Sequence, residues 1–459
     1  MNMQPALDYA AQNAAAFRQQ LFDLIRIPSV STLPERAGAV REAAQWLADN
    51  MRRAGIENVA VMPTAGHPVV YGDWLHAPDA PTVLIYGHYD VQPAEKADGW
   101  DGDPFQPVER DGKVYGRGAT DDKGQMFAHI KAVESILQTV GALPVNVKFV
   151  IEGEEEIGSP NLPPFLAEHK DKLGADVCVI SDGSILSEAQ PSIVYALRGL
   201  TALEIEVHGP ATDLHSGMYG GAVHNPVQAL AEIIAGLHDA DGRVTVPGFY
   251  DDVLALSAEE RAELSKTDIS EADWIAQNGA PAAWGEPEFS IRERVGARPT
   301  LEVNGMAGGF YGAGVKTVLP ARALAKITCR LVADQNPQKI FDLIKRHIEQ
   351  TAPPTVRVEV RGLKGSGHPA LVDINAPSMR AAITAYERGF GAPPVFMREG
   401  GSIPIVADFQ QTLGVPVVLM GFGLNTDSPH GPNEHFHLSM FRKGIDTAIH
   451  FLDAIKTTE

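Results

Sequence analysis

The chain has 459 residues and carries 38 lysines and arginines against 58 aspartates and glutamates, which gives a net charge of −20. This length predicts two domains, and the acidic charge excludes a general binder of nucleic acid or of anionic membranes. No apolar run approaches the roughly 18 residues of a membrane-spanning helix, so we predict a cytoplasmic protein. Cys178 and Cys329 lie in apolar, strand-like runs and are expected to be buried thiols.

Amphipathic patterns at the start of the chain predict helices that cover a sheet. Apolar residues recur at helical spacing over residues 7–25 and again over residues 40–54. Short apolar runs then predict strands at residues 59–62, 69–74 and 83–86, separated by glycine and proline.

The third of these strands is followed at once by a histidine and an aspartate, in the segment GHYDVQP. Buried strands of parallel sheets carry binding sites at their carboxyl ends, so His88 and Asp90 are candidate site residues. An imidazole can ligate zinc while a carboxylate holds its other ring nitrogen. The alternative for this pair alone is a polar strand terminus that is hydrogen-bonded to its loop.

Two further segments bring aspartates to comparable positions. GRGATDD places Asp121 and Asp122 at the start of a long helical pattern, where an aspartate N-cap is the alternative interpretation. VCVISDG ends another strand at Asp182. The carboxyl ends of parallel strands meet at one edge of a sheet, so these side chains are candidates for a common site.

The segment EGEEEIGS is acidic and follows a predicted strand at residues 145–151. It places Glu154, Glu155 and Glu156 between a buried strand and a Gly-Ser turn. A run of acids is usually solvated, so a site and a solvated turn both remain open here.

The pattern of predicted strands and helices changes near Gly199, where a second domain, of α+β type, begins. It combines predicted strands at 200–209, 301–303, 323–332 and 356–360, helices at 227–237 and 337–348, and an acidic insertion at 248–299. The segment GLKGSGH marks the return to the first domain. We therefore predict an α/β fold: a catalytic domain of residues 1–198 and 369–459 with a mixed, largely parallel sheet covered by helices, and an inserted α+β domain of residues 199–368.

The last part of the chain contains REGGSIP, a buried strand at residues 415–423 and the loop DSPHGPNEH, which carries His430. The candidate ligands now form a set of nitrogen and oxygen donors without a thiolate, namely His88, Asp121, Glu156, Asp182 and His430. Such a set suits two divalent ions that share a bridging carboxylate.

With these segments in place, the chain resembles the carnosinase-like dipeptidases of the zinc metallopeptidase family that also holds glutamate carboxypeptidases, aminoacylases and succinyl-diaminopimelate desuccinylases. The blocks GHYDVQP, GRGATDDKG, EGEEEIGS, ISDG, DLHSGMYGG, KTVLP, REGGSIP and HGPNE follow that family's order over nearly the whole length. The resemblance implies that one metal takes His88, Asp121 and Asp182. The other takes Asp121, Glu156 and His430, so that Asp121 bridges.

The resemblance also assigns roles around the metals. It implies that Glu155 is the general base, that Asp90 supports His88, and that Asp122 follows Asp121 across a cis peptide bond.

Further residues match the family's substrate pocket. His215 matches a histidine that reaches the substrate from the inserted domain of a neighbouring subunit, although the residues alone favour a loop or capping histidine. Arg330, on a predicted strand, matches the residue that binds the terminal carboxylate, with an edge-strand surface charge as the alternative. Thr317, Gly401 and Ser402 match positions that line the same pocket.

These matches imply a dipeptidase with two zinc ions, or manganese or cobalt, that forms a homodimer through an inserted lid and dimerisation domain. The rival is an N-acyl-amino-acid deacylase or carboxypeptidase on the same scaffold. A more distant rival is a metal-binding protein without activity. It is disfavoured, because such a protein would be free to lose the base Glu155, which this chain retains.

Overall fold

The computed structural model describes residues 1–401 and 403–456. Its α-helices, in chain order, are α1 Gln4–Gln12, α2 Ala14–Ile25, α3 Ala37–Ala54, α4 Lys123–Val140, α5 Leu162–Glu168, α6 Lys170–Leu173, α7 Ser216–Tyr219, α8 Pro226–Ala235, α9 Ala258–Ser265, α10 Glu271–Asn278, α11 Ile291–Gly296, α12 Pro337–Thr351, α13 Pro377–Phe390, α14 Pro404–Asp408 and α15 Leu438–Ile455. Short 3-10 turns lie at Pro34–Arg36, Lys96–Asp98, Glu155–Ile157 and Asn425–Asp427, and a π-helical turn at Phe409–Leu413.

The β-strands, in chain order, are β1 Glu57–Met62, β2 Val69–Trp74, β3 Thr82–His88, β4 Val108–Arg110, β5 Lys113–Tyr115, β6 Asn146–Glu152, β7 Val177–Ile180, β8 Ser184–Ile185, β9 Ser192–Leu197, β10 Gly199–His208, β11 Leu214–His215, β12 Thr300–Gly308, β13 Val318–Leu319, β14 Arg322–Leu331, β15 Arg357–Gly362, β16 Ala370–Leu371, β17 Val395–Glu399, β18 Val417–Leu419, β19 Gly423–Leu424 and β20 His435–His437.

The described chain divides into two compact units. The first unit contains Met1–Tyr195, Val372–Phe396 and the described residues from Asp408 onward. The second contains Ala196–Leu371 and Met397–Ala407. The segment 397–407, which the sequence analysis assigns to the catalytic domain, therefore clusters with the second unit.

The first unit is built on a mixed sheet in which the strand order runs β1-β2-β6-β3-β7-β18-β9. The central pairs β6–β3, β3–β7 and β7–β18 are parallel, whereas β1–β2, β2–β6 and β18–β9 are antiparallel. The predicted α/β class with a mixed sheet is confirmed. Because β3, β6 and β7 are parallel neighbours, their carboxyl ends meet at one edge of the sheet.

Helices cover this sheet because its central strands are apolar along their length. Every residue of β6 after Asn146 is buried, as are those of β3 after Thr82. Helix α4 packs against β3 and against α15, where Phe127 and Phe441 stack with ring centroids 6.4 Å apart. A sheet covered in this way is accessible mainly at the strand ends.

The second unit contains an antiparallel sheet of order β12-β14-β10-β15. Along β14 buried positions alternate with less buried ones, as expected for a strand with one face on a core. Helices α8 and α12 cover that face. Ile205 of β10, Ile327 of β14 and Ile344 of α12 belong to the resulting core.

One helix prediction is wrong in detail, and the structure adds helices where none was predicted. The helix expected over residues 7–25 is broken at Asn13, whose side chain donates to the Tyr9 carbonyl at 2.9 Å, so a local polar contact competes with the helix. The insertion at 248–299, for which no helix was predicted, contains α9, α10 and α11. Ser257, Ser270 and Ser290 cap these helices through their hydroxyl groups.

Both cysteines are buried and free, as predicted. Among the described residues, no helix has the length and apolar character needed to cross a membrane.

Candidate metal centre

The first group of candidate ligands consists of His88, Asp121 and Asp182, whose ligand atoms lie within 4.8 Å of one another. His88 ends β3, and its Nε2 lies 3.1 Å from Asp121 Oδ1 and 3.7 Å from Asp182 Oδ2. Asp182 follows β7, the parallel neighbour of β3. The pairing of these two strands thus brings an imidazole and a carboxylate together at one sheet edge.

The second group consists of Asp121, Glu156 and His430, again with ligand atoms within 4.8 Å. His430 Nε2 lies 3.0 Å from Asp121 Oδ2 and 3.2 Å from Glu156 Oε2. Asp121 therefore turns one oxygen to each group. The Asp121–Asp122 peptide bond is cis, as the resemblance implies. The side chain of His430 is 57% exposed, whereas that of His88 is fully buried, so the centre opens to solvent beside His430.

Asp90 lies behind His88 and is completely buried. The Nδ1 atom of His88 lies 3.0 Å from the Asp90 carbonyl oxygen and 3.4 Å from its Oδ1. The Asp90 carboxylate also accepts hydrogen bonds from the backbone N–H groups of Glu155 and Glu156, at 3.2 and 3.1 Å. One aspartate thus orients both the imidazole and the turn that carries the acidic run.

The three consecutive glutamates have different surroundings. Glu154 is buried, and its carboxylate accepts hydrogen bonds from the backbone N–H of His67 at 2.9 Å and from Asn161 Nδ2 at 2.8 Å. It therefore joins loops, and the interpretation of the run as a solvated turn is wrong. Glu155 and Glu156 are partly buried and begin the 3-10 turn Glu155–Ile157.

Glu156 is held in place by a residue that the sequence analysis missed. Gln92 donates to its carboxylate through the backbone N–H at 3.2 Å and through Nε2 at 2.6 Å. Gln92 belongs to the same GHYDVQP block as His88, so proximity to a predicted ligand was the available signal.

Asp122 occupies the N-cap position of α4 but makes no side-chain capping hydrogen bond, so the N-cap interpretation is wrong. Its Oδ2 accepts instead from the backbone N–H of His88 at 3.2 Å. Its Oδ1 is buried and has no hydrogen-bond partner in the described part of the chain.

The carboxylates of the centre outnumber the cationic groups around them, and burial sets their protonation. Without bound cations, burial and then the charge of Asp121 raise the pKa of Asp182 to about 7. Burial raises the pKa of Glu155 to about 9, with His88 opposing the shift and Asp182 adding to it. Burial also opposes ionisation of Asp121, but hydrogen bonds with His430 and His88 outweigh it and lower the Asp121 pKa.

Such a surplus of buried carboxylates requires protons or cations to neutralise it. Two divalent cations would take the place of those protons, and the oxygen and nitrogen donors of both groups are suitable ligands for them. The residues therefore fit a paired metal centre.

A buried ion pair connects the two loops that supply Asp121 and His430. Arg117 Nη1 donates to Glu434 Oε2 at 2.7 Å, and both side chains are buried. Arg117 Nη2 also donates to the His430 carbonyl at 3.1 Å. Glu434 accepts from the backbone N–H groups of Thr120 at 2.9 Å and Asp121 at 3.1 Å. Neither residue was predicted from the sequence, although they lie inside the blocks GRGATDD and HGPNE.

In the second unit, His215 and Thr317 are close to each other. β11, which ends at His215, pairs with β13, and the Thr317 carbonyl accepts from the Ser216 N–H at 3.0 Å. His215 is exposed and its Nδ1 accepts from the Gly217 N–H at 3.0 Å, so it caps α7. The capping role favoured by the residues alone is present, and the ring's Nε2 takes no part in it.

Arg330 lies on β14, which is a central strand of its sheet, so the alternative of an edge-strand charge is wrong. Together with Arg198 it lines a cavity of about 670 Å³ within the second unit. Burial, and after it the charge of Arg330, lower the pKa of Arg198 to about 10. Two neighbouring guanidinium groups favour an anionic ligand.

Gly401 is also near Arg198, since its carbonyl accepts from the Arg198 N–H at 3.2 Å. Ser402 lies outside the described residues. Arg198 was not predicted from the sequence. Its proximity to Arg330 comes from the pairing of β10 with β14, in which Leu200 is paired with Arg330.

The chain is similar in sequence and fold to named metal-dependent peptidases. Residues 84–454 match the model of peptidase family M20/M25/M40. The Cys-Gly metallodipeptidase DUG1 of Candida albicans is 33% identical over 97% of this chain and 96% of its own. The human Beta-Ala-His dipeptidase is 33% identical over 93% of this chain and 83% of its own. The crystal structure of the M20 family metallo-carboxypeptidase Sso-CP2 from Sulfolobus solfataricus has a TM-score of 0.83 and 33% identity, covering 96% of this chain and 99% of that one.

The fold and the ligand groups thus define a metallopeptidase, a hydrolase. The chain belongs to peptidase family M20/M25/M40. The predictions of a carnosinase-like family member and of a metallodipeptidase are confirmed by these comparisons.

We predict that Glu434→Gln weakens metal binding at the centre by about 10- to 100-fold, the usual effect of losing a residue that orients a ligand. The change leaves Arg117 without its buried charge partner and loosens the backbone around Asp121. Turnover should recover when metal is added in excess. Glu109→Gln, which removes an exposed carboxylate paired with Arg18, is the matched control. Chelator competition measures the affinities, and equal values for the two variants would contradict the positioning role of Glu434.

Proposed function

We propose that this protein hydrolyses the peptide bond of dipeptides at the paired centre, with Glu155 as the general base. The main support is that one carboxylate, Asp121, faces two ligand groups at once, and that the charges of this centre influence the partly buried Glu155. Relatives that are 33% identical over more than nine tenths of the chain are named dipeptidases, which supports the substrate class.

For the metals, we propose that His88, Asp121 and Asp182 hold one cation, and that Asp121, Glu156 and His430 hold the other. Zinc is the proposed metal, and manganese or cobalt would also accept these ligands. When bound, two such cations would polarise the scissile carbonyl and lower the pKa of a water molecule.

In the proposed reaction, Glu155 takes a proton from the attacking water as the water oxygen bonds to the carbonyl carbon. When the carbon–nitrogen bond breaks, the same carboxyl gives the proton to the leaving amine. The backbone of Glu155 is fixed by Asp90, and the carboxylates of its two neighbours have other partners. This division of roles among adjacent glutamates supports Glu155 as the residue left for proton transfer.

For substrate selection, we propose that Arg330 binds the free carboxylate of the dipeptide. The support is its place in a cavity that Arg198 also lines, since planar guanidinium groups bind carboxylates through paired hydrogen bonds. Thr317, Gly401 and Ser402 are proposed to line the same pocket, as the resemblance implies.

A carboxypeptidase is the second candidate, and the similarity to Sso-CP2 favours it over a deacylase. Both activities would use the same centre and the same carboxylate-binding arginine. They differ from a dipeptidase in the length and nature of the acyl side that the pocket accepts.

We propose that the inserted domain, residues 199–368 in the sequence analysis, acts as a lid and forms a homodimer in which His215 serves the partner's centre. The second unit exposes several large apolar side chains, which is typical of an interaction surface. They are Met218, Val303, Met306, Phe310, Tyr311 and Val315. The outer strand β12 is also available for contact at its open edge.

We also propose a cytoplasmic location. The two cysteines are buried and free, as suits a reducing compartment. Cell fractionation would test this location.

Substitutions of the three adjacent glutamates should have different effects on turnover and on metal content. Glu155→Gln keeps the shape of the side chain but cannot accept the proton, so turnover should fall by roughly 10²- to 10⁴-fold while metal content stays near that of the parent. Glu156→Gln should lose part of one metal. Glu154→Gln, which changes a residue bonded to loops, is the control and should keep both properties. Metal analysis and single-turnover kinetics measure the series. A Glu155→Gln protein that lost a metal and regained its rate after metal addition would refute the assignment.

A substrate panel tests the proposed class and the role of Arg330 together. Free dipeptides should be cleaved much faster than dipeptide amides, longer peptides and N-acyl amino acids, after reconstitution with zinc, manganese or cobalt. Arg330→Ala should raise KM for free dipeptides and leave the slow cleavage of amides unchanged, because amides lack the carboxylate. Faster release of residues from longer peptides would favour the carboxypeptidase, and equal cleavage of amides by the parent would refute the role of Arg330.

Mixing two inactive variants tests the homodimer. His215→Ala and Glu155→Gln should each be nearly inactive, but a mixed dimer regains one complete centre after subunit exchange. His224→Ala, which changes another histidine of the second unit, is the control and should remain active alone. Sedimentation gives the oligomeric state. A fully active monomer, or a mixture with no recovered activity despite subunit exchange, would contradict the proposal.

A further inference from the structure

A second cluster of metal-ligating side chains lies apart from the paired centre in the first unit. It consists of Asp427, at the end of the turn Asn425–Asp427, and of His435 and His437, which begin and end β20. Asp427 Oδ1 lies 3.7 Å from His435 Nε2 and 3.6 Å from His437 Nε2. These separations are too long for hydrogen bonds, so the three atoms face one another without bonding.

The oxygen atoms next to the outer nitrogens of the two imidazoles indicate which nitrogen carries the proton. His435 Nδ1 lies 3.0 Å from the Asn433 carbonyl oxygen, and His437 Nδ1 lies 3.1 Å from Glu188 Oε1. The carbonyl oxygen can only accept, so His435 Nδ1 is the N–H donor there, and the carboxylate oxygen near His437 favours a proton on its Nδ1 as well. A neutral ring then presents a lone pair at Nε2, directed at Asp427 in both cases.

Three electron-pair donors therefore converge on one buried position. Asp427 is fully buried, and its Oδ1 and the Nε2 of His437 have no hydrogen-bond partner among residues 1–401 and 403–456. Buried polar atoms without a partner are unfavourable, and a bound ion would satisfy both. A tetrahedral zinc with bonds of about 2.0–2.1 Å places its ligand atoms about 3.3–3.5 Å apart, close to the separations here.

We propose that Asp427, His435 and His437 bind a third divalent transition-metal ion of the zinc class, with water as a further ligand. Histidines whose other ring nitrogen donates to a carboxylate or a backbone carbonyl are the usual form of metal-ligating imidazoles. None of the three residues belongs to the two ligand groups of the paired centre.

Lys113 is the group that competes with this ion. Its Nζ lies 3.2 Å from His435 Nε2, and the residue is partly exposed. The ion must displace the ammonium group from His435, so removing that group should tighten binding. The cluster Glu206, His208 and Glu359 in the second unit differs, because Arg361 and Arg322 already neutralise Glu206.

The proposed ion would stabilise the loop that precedes the bridging aspartate. Asp427 Oδ2 accepts from Thr120 Oγ1 at 3.2 Å, and from the Leu424 N–H at 2.8 Å. An ion on Oδ1 would thus join β20 to the segment next to Asp121. Its role is structural, since it contacts neither substrate nor the reacting atoms.

Metal content after equilibration with zinc and removal of loosely bound ions tests the proposal. The full-length parent should hold three equivalents and His437→Gln two. Glu188→Ala, which keeps all three ligands but removes the carboxylate beside His437 Nδ1, should bind the third equivalent about 10- to 100-fold more weakly. Lys113→Met should bind it more tightly. His76→Gln, which changes an exposed histidine paired with Glu57, is the control for surface binding and should hold three.

Cobalt absorption spectra provide a readout that does not depend on activity. The band of the third equivalent should be absent from His437→Gln and present in Glu156→Gln, which alters only the paired centre. A parent that holds two equivalents, or a His437→Gln protein that holds as many as the parent, would overturn the third site. If His437→Gln fails to fold, unchanged affinity in Glu188→Ala would overturn it equally, whatever the outcome for the dipeptidase proposal.

Discussion

The convergence of negative charge at one edge of a buried sheet is the constraint on which the rest of this structure depends. Strands β3 and β7 end at this edge, and Asp121 enters it from the segment before α4. Carboxylates in such a place are unstable as bare anions, because burial removes the water that would solvate them. Burial therefore raises the pKa of Asp182 and Glu155. Their negative charge has to be neutralised by protons or by metal cations. The buried carboxylates are unfavourable as bare anions, and for the same reason they bind divalent cations strongly.

The loops around this edge are held by polar contacts that contribute no ligand of their own. Arg117 and Glu434 form a buried ion pair that joins the segment of Asp121 to the segment of His430. Asp90 similarly joins His88 to the turn of Glu155. Metal ligands need fixed positions within a few tenths of an ångström, and loops reach that precision only when their backbone N–H groups are bound. The buried charges are thus best understood as positioning devices, since buried ion pairs are weak sources of stability by themselves.

Much of the fold and the site could be predicted because its signals are local. The apolar run of β3 stops where His88 begins, and β7 stops just before Asp182, so the strand-end pattern is visible in a few consecutive residues. The alternation along β14 likewise follows from a strand with one face on a core. By contrast, the break at Asn13 depends on a single side-chain hydrogen bond that helical periodicity does not reveal.

The sequence by itself determined the donor types, the order of the strand-end ligands and the family, because each depends on residue identity and on short spacings. Only the tertiary structure decided which contacts each of the three adjacent glutamates makes, since the partners of Glu154, His67 and Asn161, lie in other loops. It also brought Arg198 beside Arg330 through the pairing of β10 with β14. Asp427 meets two histidines of β20 because the turn Asn425–Asp427 packs against that strand. Contacts between distant segments depend on how strands and loops pack, and a linear pattern of residues does not contain that geometry.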